Sequence, residues 1–200
     1  MKRSRVINLD RMRKNPLEKP LLRPLTLAIA SITLAACSQP EQDVQIVNSV
    51  EDCVDNTTLT ADQCQAAYEK ALTEAHRTAP RYQSQSHCES EFGYNQCYQT
   101  GNNFFVPFMA GWMVSSLLNN ASNTYNPVYH YRNSSSSYRD RLMTADGSVI
   151  GRAGQKSYKV PSTNLKPKPT VTRTVSRGGF GAVASAKSNW GGGKKSSWGG

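Results

Sequence analysis

Cysteine placement restricts what this chain can fold into more than any other feature. Cys53, Cys64, Cys88 and Cys97 fall close together, and a fifth, Cys37, stands apart upstream. Four cysteines can form two disulfides in an oxidising compartment, with three possible connectivities. The odd fifth thiol then needs its own explanation. A weak internal repeat bears on the pairing. "SVEDCVDNTTLTADQC" (49–64) and "SQSHCESEFGYNQC" (84–97) both place a Ser shortly before a Cys, run through a polar turn and end Gln-Cys. If each is one unit, Cys53 pairs with Cys64 and Cys88 with Cys97. Loops of about ten residues would contribute somewhat under ~3 kcal/mol each. The competing nested pairing, Cys53–Cys97 with Cys64–Cys88, would staple a hairpin. His87 beside Cys88, with His76 nearby, raises zinc as a third use. The C-x-x-C spacing of zinc sites is missing, so no metal is expected.

Compartment follows from the start of the chain. Lys2, Arg3, Arg5, Arg11, Arg13, Lys14, Lys19 and Arg23 face only Asp10 and Glu18, and "LTLAIASITLAACSQP" (25–40) follows without a charge before Glu41. A basic n-region, a short apolar run and small residues at its end form an export signal. The run is shorter than the roughly 20 residues that span a bilayer. Its end, Leu34-Ala35-Ala36-Cys37, is similar to the lipobox of bacterial lipoproteins. That similarity implies a diacylglycerol on the Cys37 thiol, cleavage before Cys37 and an acylated new amino group. Met12 offers a second start that leaves Cys37 unchanged. With Cys37 lipidated, the remaining cysteines are four.

Local structure is clearest between the two cysteine units. Thr60 with Gln63 makes a capping box. Cys64, Ala67, Tyr68, Ala71, Leu72 and Ala75 recur at helical spacing, and Pro80 marks the stop. A second, short helix is expected over Ser86–Phe92, capped by Ser86 and Glu89 and ended by Gly93. His76 and His87 read as surface residues of these helices.

Charge divides the chain downstream of the signal. Residues 37–100 hold three basic and ten acidic residues, whereas 101–200 hold thirteen basic and two acidic. The overall charge of +10 therefore conceals an acidic front and a basic back. The back half opens with "FFVPFMAGWMVSSLL" (104–118), apolar nearly all round. As a helix it reaches about 22 Å, short of a hydrocarbon core of about 30 Å. Phe104, Phe105, Phe108, Met109, Trp112 and Met113 are expected to form the principal apolar contact. Three partners for it stay open: a domain core, a membrane surface or a second copy. Further on, "RLMTADGSVIG" predicts a hairpin near 140–151, with Asp146-Gly147 suited to a type I′ turn. "LKPKP" reads as extended, "TVTRTVS" has strand propensity without an apolar face, and "NWGGGKKSSWGG" is low complexity.

Two motifs fail on inspection. "SRGGFGAVA" (176–184) holds one Arg-Gly-Gly, not an array, so no nucleic-acid partner is expected. "GSVIGRAGQKS" (147–157) is no phosphate loop, because Gln155 separates Gly154 from Lys156. Serines 134–137 lack an elbow motif, and no catalytic grouping can be assembled.

Several segments in this order carry a resemblance: "EDC", "AYEKALTEAHRTAPRY", "CESEFGYNQC", "PFMAGWM", "PKP" and "TRTVSRGGFG". Together they resemble the YgiB-like family of enterobacterial envelope proteins, whose function is unknown. The resemblance covers nearly the full chain and departs from the family over 119–137. It implies an envelope location, and since the family has no established activity or catalytic residues, it implies none to carry over. It also implies a genetic neighbourhood with a glutathionylspermidine-synthase-like protein.

The expected architecture is a signal peptide (1–36), a tether (37–48), a small mainly-α disulfide-stabilised region (49–100), an apolar helix (101–120) and a largely irregular basic tail with a minor β-hairpin (121–200). The expected function is a lipid-anchored, non-enzymatic interaction or structural protein. Ser38 after the lipid cysteine places it on the periplasmic face of the outer membrane. It needs no cofactor beyond the lipid on Cys37. Its expected partners are the membrane, anionic lipid or lipopolysaccharide through basic residues 132–195, and an envelope protein. The alternative is an accessory or enzyme that takes a small cationic metabolite, such as a polyamine conjugate, through acidic residues 41–91.

Overall fold

The computed structural model describes residues 40–115, 125–175 and 179–191. Strand β1 (Glu41–Val47) leads into helices α1 (Val50–Asn56), α2 (Ala61–Thr78) and α3 (Gln85–Phe92). A small antiparallel pair, β2 (Cys97–Gln99) and β3 (Phe105–Pro107), follows. Then come β4 (Gly111–Ser115), β5 (Pro127–Tyr131), β6 (Arg141–Thr144), β7 (Val149–Arg152) and β8 (Ser157–Pro161). A 3-10 turn (Ser162–Leu165) and helix α4 (Gly179–Gly191) close the order.

Six of these strands form one antiparallel sheet in the order β7-β6-β5-β4-β1-β8. Its outermost strands, β7 and β8, are consecutive in the chain, and the sheet curls into a nearly closed barrel. Tyr158 of β8 seals the seam. Its ring covers Gly151 of β7, where a Cβ would lie 2.6 Å from the ring. Its hydroxyl donates to the Arg152 carbonyl (2.9 Å) and accepts from the Gln155 amide (3.2 Å).

Alternation of side chains across a strand explains the burial of both sheet faces. Val44, Met113, Val128, Leu142, Ile150, Tyr158 and Val160 supply one cluster to which every strand of the sheet contributes, the barrel interior. On the outer face, Val47, Trp112 and Val114 pack with Cys53, Cys64, Ala67 and Ala71 of α1 and α2. Tyr129, Tyr131 and Met143 pack with Phe92 of α3 and with Phe180 and Ala184 of α4.

The structure overturns the expected mainly-α fold with a minor hairpin: its frame is the barrel-like sheet, with four short helices around it. The expected apolar helix over 101–120 is strand β3, a connection and strand β4 as far as Ser115. The reason is physical. A strand buried on both faces has no polar side, and a short apolar run of this kind has no period that separates it from a buried helix. The expected irregular tail supplies β5 to β8, the 3-10 turn and α4. The expected tether includes strand β1, Glu41–Val47. The hairpin near 140–151 exists as β6–β7, but its turn differs. Of Asp146-Gly147 only Gly147 has positive φ (79°). The Gly147 amide donates to the Thr144 carbonyl and the Thr144 amide to the Ser148 carbonyl, a three-residue connection with glycine in the left-handed position.

The helical expectations fare better. α2 has the Thr60/Gln63 capping box, and Cys64, Ala67, Ala71 and Ala75 are its buried stripe. The short helix is α3, capped by Ser84 rather than Ser86 and ended at Gly93. Bonds Cys53–Cys64 and Cys88–Cys97 are both present, the local pairing. Cys37, the expected signal peptide (1–36), residues 116–124 and 176–178 and the Gly/Ser tail beyond 191 lie outside the described residues.

Candidate functional site

Antiparallel pairing fixes which loops share an end of the barrel. The register pairs Glu41 with Pro161, and Val44 with Ser115, at the end where the chain enters. Val47 pairs with Trp112, Tyr131 with Arg141 and Arg141 with Arg152 toward the other end. A groove of about 500 Å³ opens there, between the end of β1, the first turn of α1, His130 and the β7–β8 loop. Mouths of barrels are common binding positions.

His130 shares the inner face of β5 with Val128, two residues earlier. Arg132 Nε donates to its Nδ1 at 3.2 Å, so that nitrogen is an acceptor and the neutral ring carries its proton on Nε2. Nε2 lies 3.7 Å from Asp140 and has no hydrogen-bond partner among the described residues. Burial, and then the Arg132 charge, push the imidazole pKa down, and Asp140 opposes them. Asp52 in the groove is occupied: it accepts from the Asn48 amide (2.9 Å) and from Asn56 Nδ2 (2.8 Å). Lys156 is exposed on the rim. The arrangement can hold a ligand by hydrogen bonds and charge.

A second groove of about 450 Å³ lies between β1 and the α1–α2 connection, and Asp43 and Asp55 face it. Gln45 and Asn56 line both grooves. Among the described residues, no group of three or more His, Cys, Asp or Glu is arranged to hold a metal.

Two further polar constellations organise the back half. Asp146 at the β6–β7 turn accepts from Thr144 Oγ1 and from Lys187 Nζ of α4 (2.5 Å), and lies 3.4 Å from Lys168 Nζ. Burial pushes its carboxyl up, but these two hydrogen bonds and the lysine charges outweigh burial and hold it well below the usual carboxylate range. Lys168 is 7% exposed; burial pulls its pKa down and Asp146 resists. Glu91, 3% exposed, accepts from Tyr82 Oη and from the Phe180 amide, both at 2.7 Å. Burial and then the Glu91 charge drive the Tyr82 phenol far up.

The expected apolar contact residues do not form one face. Arg81 stands 5.9 Å over the Phe104 ring, and Phe105 bridges Tyr82. Phe108 is 52% exposed and stacks at 4.9 Å on Tyr98. Met109 packs with Trp112 in the outer cluster under α1 and α2, while Met113 points into the barrel. Among the described residues no helix is long and apolar enough to cross a membrane. Sequence reasoning missed His130, Glu91 and Asp146. The alternation in "PVYHY" would have exposed the first, because Val128 and His130 share one face and Tyr129 and Tyr131 the other.

Residues 41–191 match the family described as "Protein of unknown function (DUF1190)". The UPF0441 protein of Serratia proteamaculans (strain 568) is 32% identical over 198 residues, 90% of each chain. Those of Klebsiella pneumoniae (strain 342) and Pectobacterium carotovorum (strain PC1) are 32% and 33% identical, each across 94% of this chain and 92% of the relative. No solved structure matches. The chain accordingly belongs to the DUF1190 family, the YgiB-like UPF0441 proteins of enterobacteria, whose function is unknown.

Proposed function

We propose that this protein is a lipid-anchored, non-catalytic interaction protein of the bacterial envelope, held by acyl chains on Cys37 at the periplasmic face of the outer membrane. One observation carries this reading. The four cysteines after Cys37 pair with one another, so the odd thiol of the sequence is the one that ends the apolar run. Cys37 precedes the first described residue, Pro40, by three residues. Cys37→Ser tests it: labelled palmitate should no longer be incorporated, and the protein should leave the membrane fraction. Retained label with unchanged fractionation overturns the reading.

A second reading has its own support in the acidic groove faced by Asp43 and Asp55, which suits a small cation such as a polyamine. Saturable spermidine binding that is abolished by Asp43→Asn with Asp55→Asn would favour it over the first. Binding that those changes leave intact would reject it.

A further inference from the structure

The outer surface of β6 and β7 holds an arrangement that folding alone does not favour. Arg141 and Arg152 are direct cross-strand partners, and like charges in that position destabilise a sheet. The Arg141 amide donates to the Tyr138 carbonyl and the Arg152 carbonyl accepts from Tyr158, but neither guanidinium has an ion-pair partner among the described residues. Arg152 is exposed and Arg141 half-buried. Arg132, Arg139 and Lys156 stand at the same end of the barrel, all exposed. The acids there are Asp140, Glu51 and Asp52. Asp140 lies 3.5 Å from Arg139, and Asp52 is taken up by Asn48 and Asn56. The connection from β5 to β6 adds exposed hydroxyls at Ser134, Ser135 and Ser137.

We infer that the Arg141–Arg152 pair is a binding site for a phosphate monoester. Charge matching selects the ligand. Two adjacent guanidinium groups carry two positive charges, and a phosphate monoester carries roughly −1.5 to −2 at neutral pH, whereas a carboxylate or a phosphodiester carries only one. Shape agrees, because each guanidinium offers a planar fork of donors suited to two phosphate oxygens. Cross-strand partners lie about 4.5–5.5 Å apart at Cα, close enough for both forks to reach one phosphate.

The pair has a defined place on the barrel. The register places Arg141 and Arg152 toward the end of the barrel away from Glu41 and Pro161, where the chain enters. Seven residues of β1 alone span about 23 Å, beyond the ~8 Å over which surface charges act at physiological salt. The site is therefore electrostatically separate from Glu41 at the opposite end of the barrel. Its ligand is a phosphate monoester, such as that of a phosphorylated sugar. This specifies the binding role proposed above, but the site itself does not require the lipid.

The test uses the full chain in a neutral detergent with glucose 6-phosphate as the monoester and dimethyl phosphate as the monoanionic diester, at equal ionic strength. Calorimetric titration should show saturable binding of the monoester, at least about tenfold tighter than the diester. Arg141→Gln with Arg152→Gln should weaken the monoester by about tenfold or more and so remove its advantage over the diester. Thermal melting gives a second readout that does not depend on detecting heat. At low salt the double variant should melt higher than the wild type, because the repulsion is gone, and the monoester should raise only the wild-type melting temperature. Equal binding of the two phosphates, monoester binding untouched by the double substitution, or no saturation up to about 10 mM would each overturn the site. Cys37→Ser separates this proposal from the anchoring one, since it should leave monoester binding as it is.

Discussion

Gly179 and Glu91 meet so closely that neither residue can be understood alone. A Cβ on Gly179 would sit 1.5 Å from a Glu91 carboxylate oxygen, and its φ of 70° is left-handed. The missing Cβ leaves room for the carboxylate, whose other oxygen, Oε2, accepts from the Phe180 amide, and the carboxylate in turn favours the positive end of α4. Gly179→Ala combines backbone strain with a collision and should lower stability by about 3 kcal/mol. Glu91→Ala strands the Tyr82 hydroxyl and the Phe180 amide in a buried setting and should cost about as much, ~3 kcal/mol. Urea unfolding with the disulfides intact measures both. Because each change undoes the same junction, the double variant should lose clearly less than the two losses added together. Strict additivity would show that the contact does not couple α3 to α4. The reason for Gly179 thus lies far away in the chain, at residue 91.

Elements were legible where their signals are local. The capping box and alanine stripe identify α2 because both operate within a few turns of one helix. The repeated Ser…Cys…Gln-Cys units favour the right pairing because each bond closes a short loop. The 104–118 run was misread because strand and buried helix differ by what covers them, and the covers come from α1 and α2 on one side and from β8 on the other. Trp112 measures that burial. It is fully enclosed, with its ring 5.3 Å from Tyr68 of α2. Trp112→Ala should destabilise the protein by about 3–5 kcal/mol and loosen amide protection in both β4 and α2, read by hydrogen exchange. Protection lost in β4 alone would mean that the ring does not join helix to sheet.

At the scale of the whole molecule, Asp146 draws together three parts that are remote in sequence: the β6–β7 turn, the segment holding Lys168, and α4 through Lys187. A carboxylate held below its ordinary value stabilises the fold at every pH above that ordinary value of 3.8, and the contribution fades as pH falls below it toward the folded-state pKa. Asp146→Asn also leaves the buried Lys168 ammonium without its counter-charge, and should cost about 3 kcal/mol at pH 7. The gap between wild type and variant should stay constant from pH 7 down to about 4 and shrink only under more acid conditions. A gap that closes already between pH 7 and 5 would assign the effect to another group.

By itself the sequence determined what depends on neighbours in the chain: an apolar run ending on Cys37, a capped amphipathic helix, two short cysteine loops and an acidic front with a basic back. Only the tertiary structure decided that the basic half is strands, that β1 lies between β4 and β8, and that arginines at 141 and 152 stand side by side. Hydrogen-bond partners in a sheet can come from any distance along the chain, and a strand hidden on both faces shows no period of its own. Its pairing is settled by the other strands, and the placing of charge at one end of the barrel follows from that pairing.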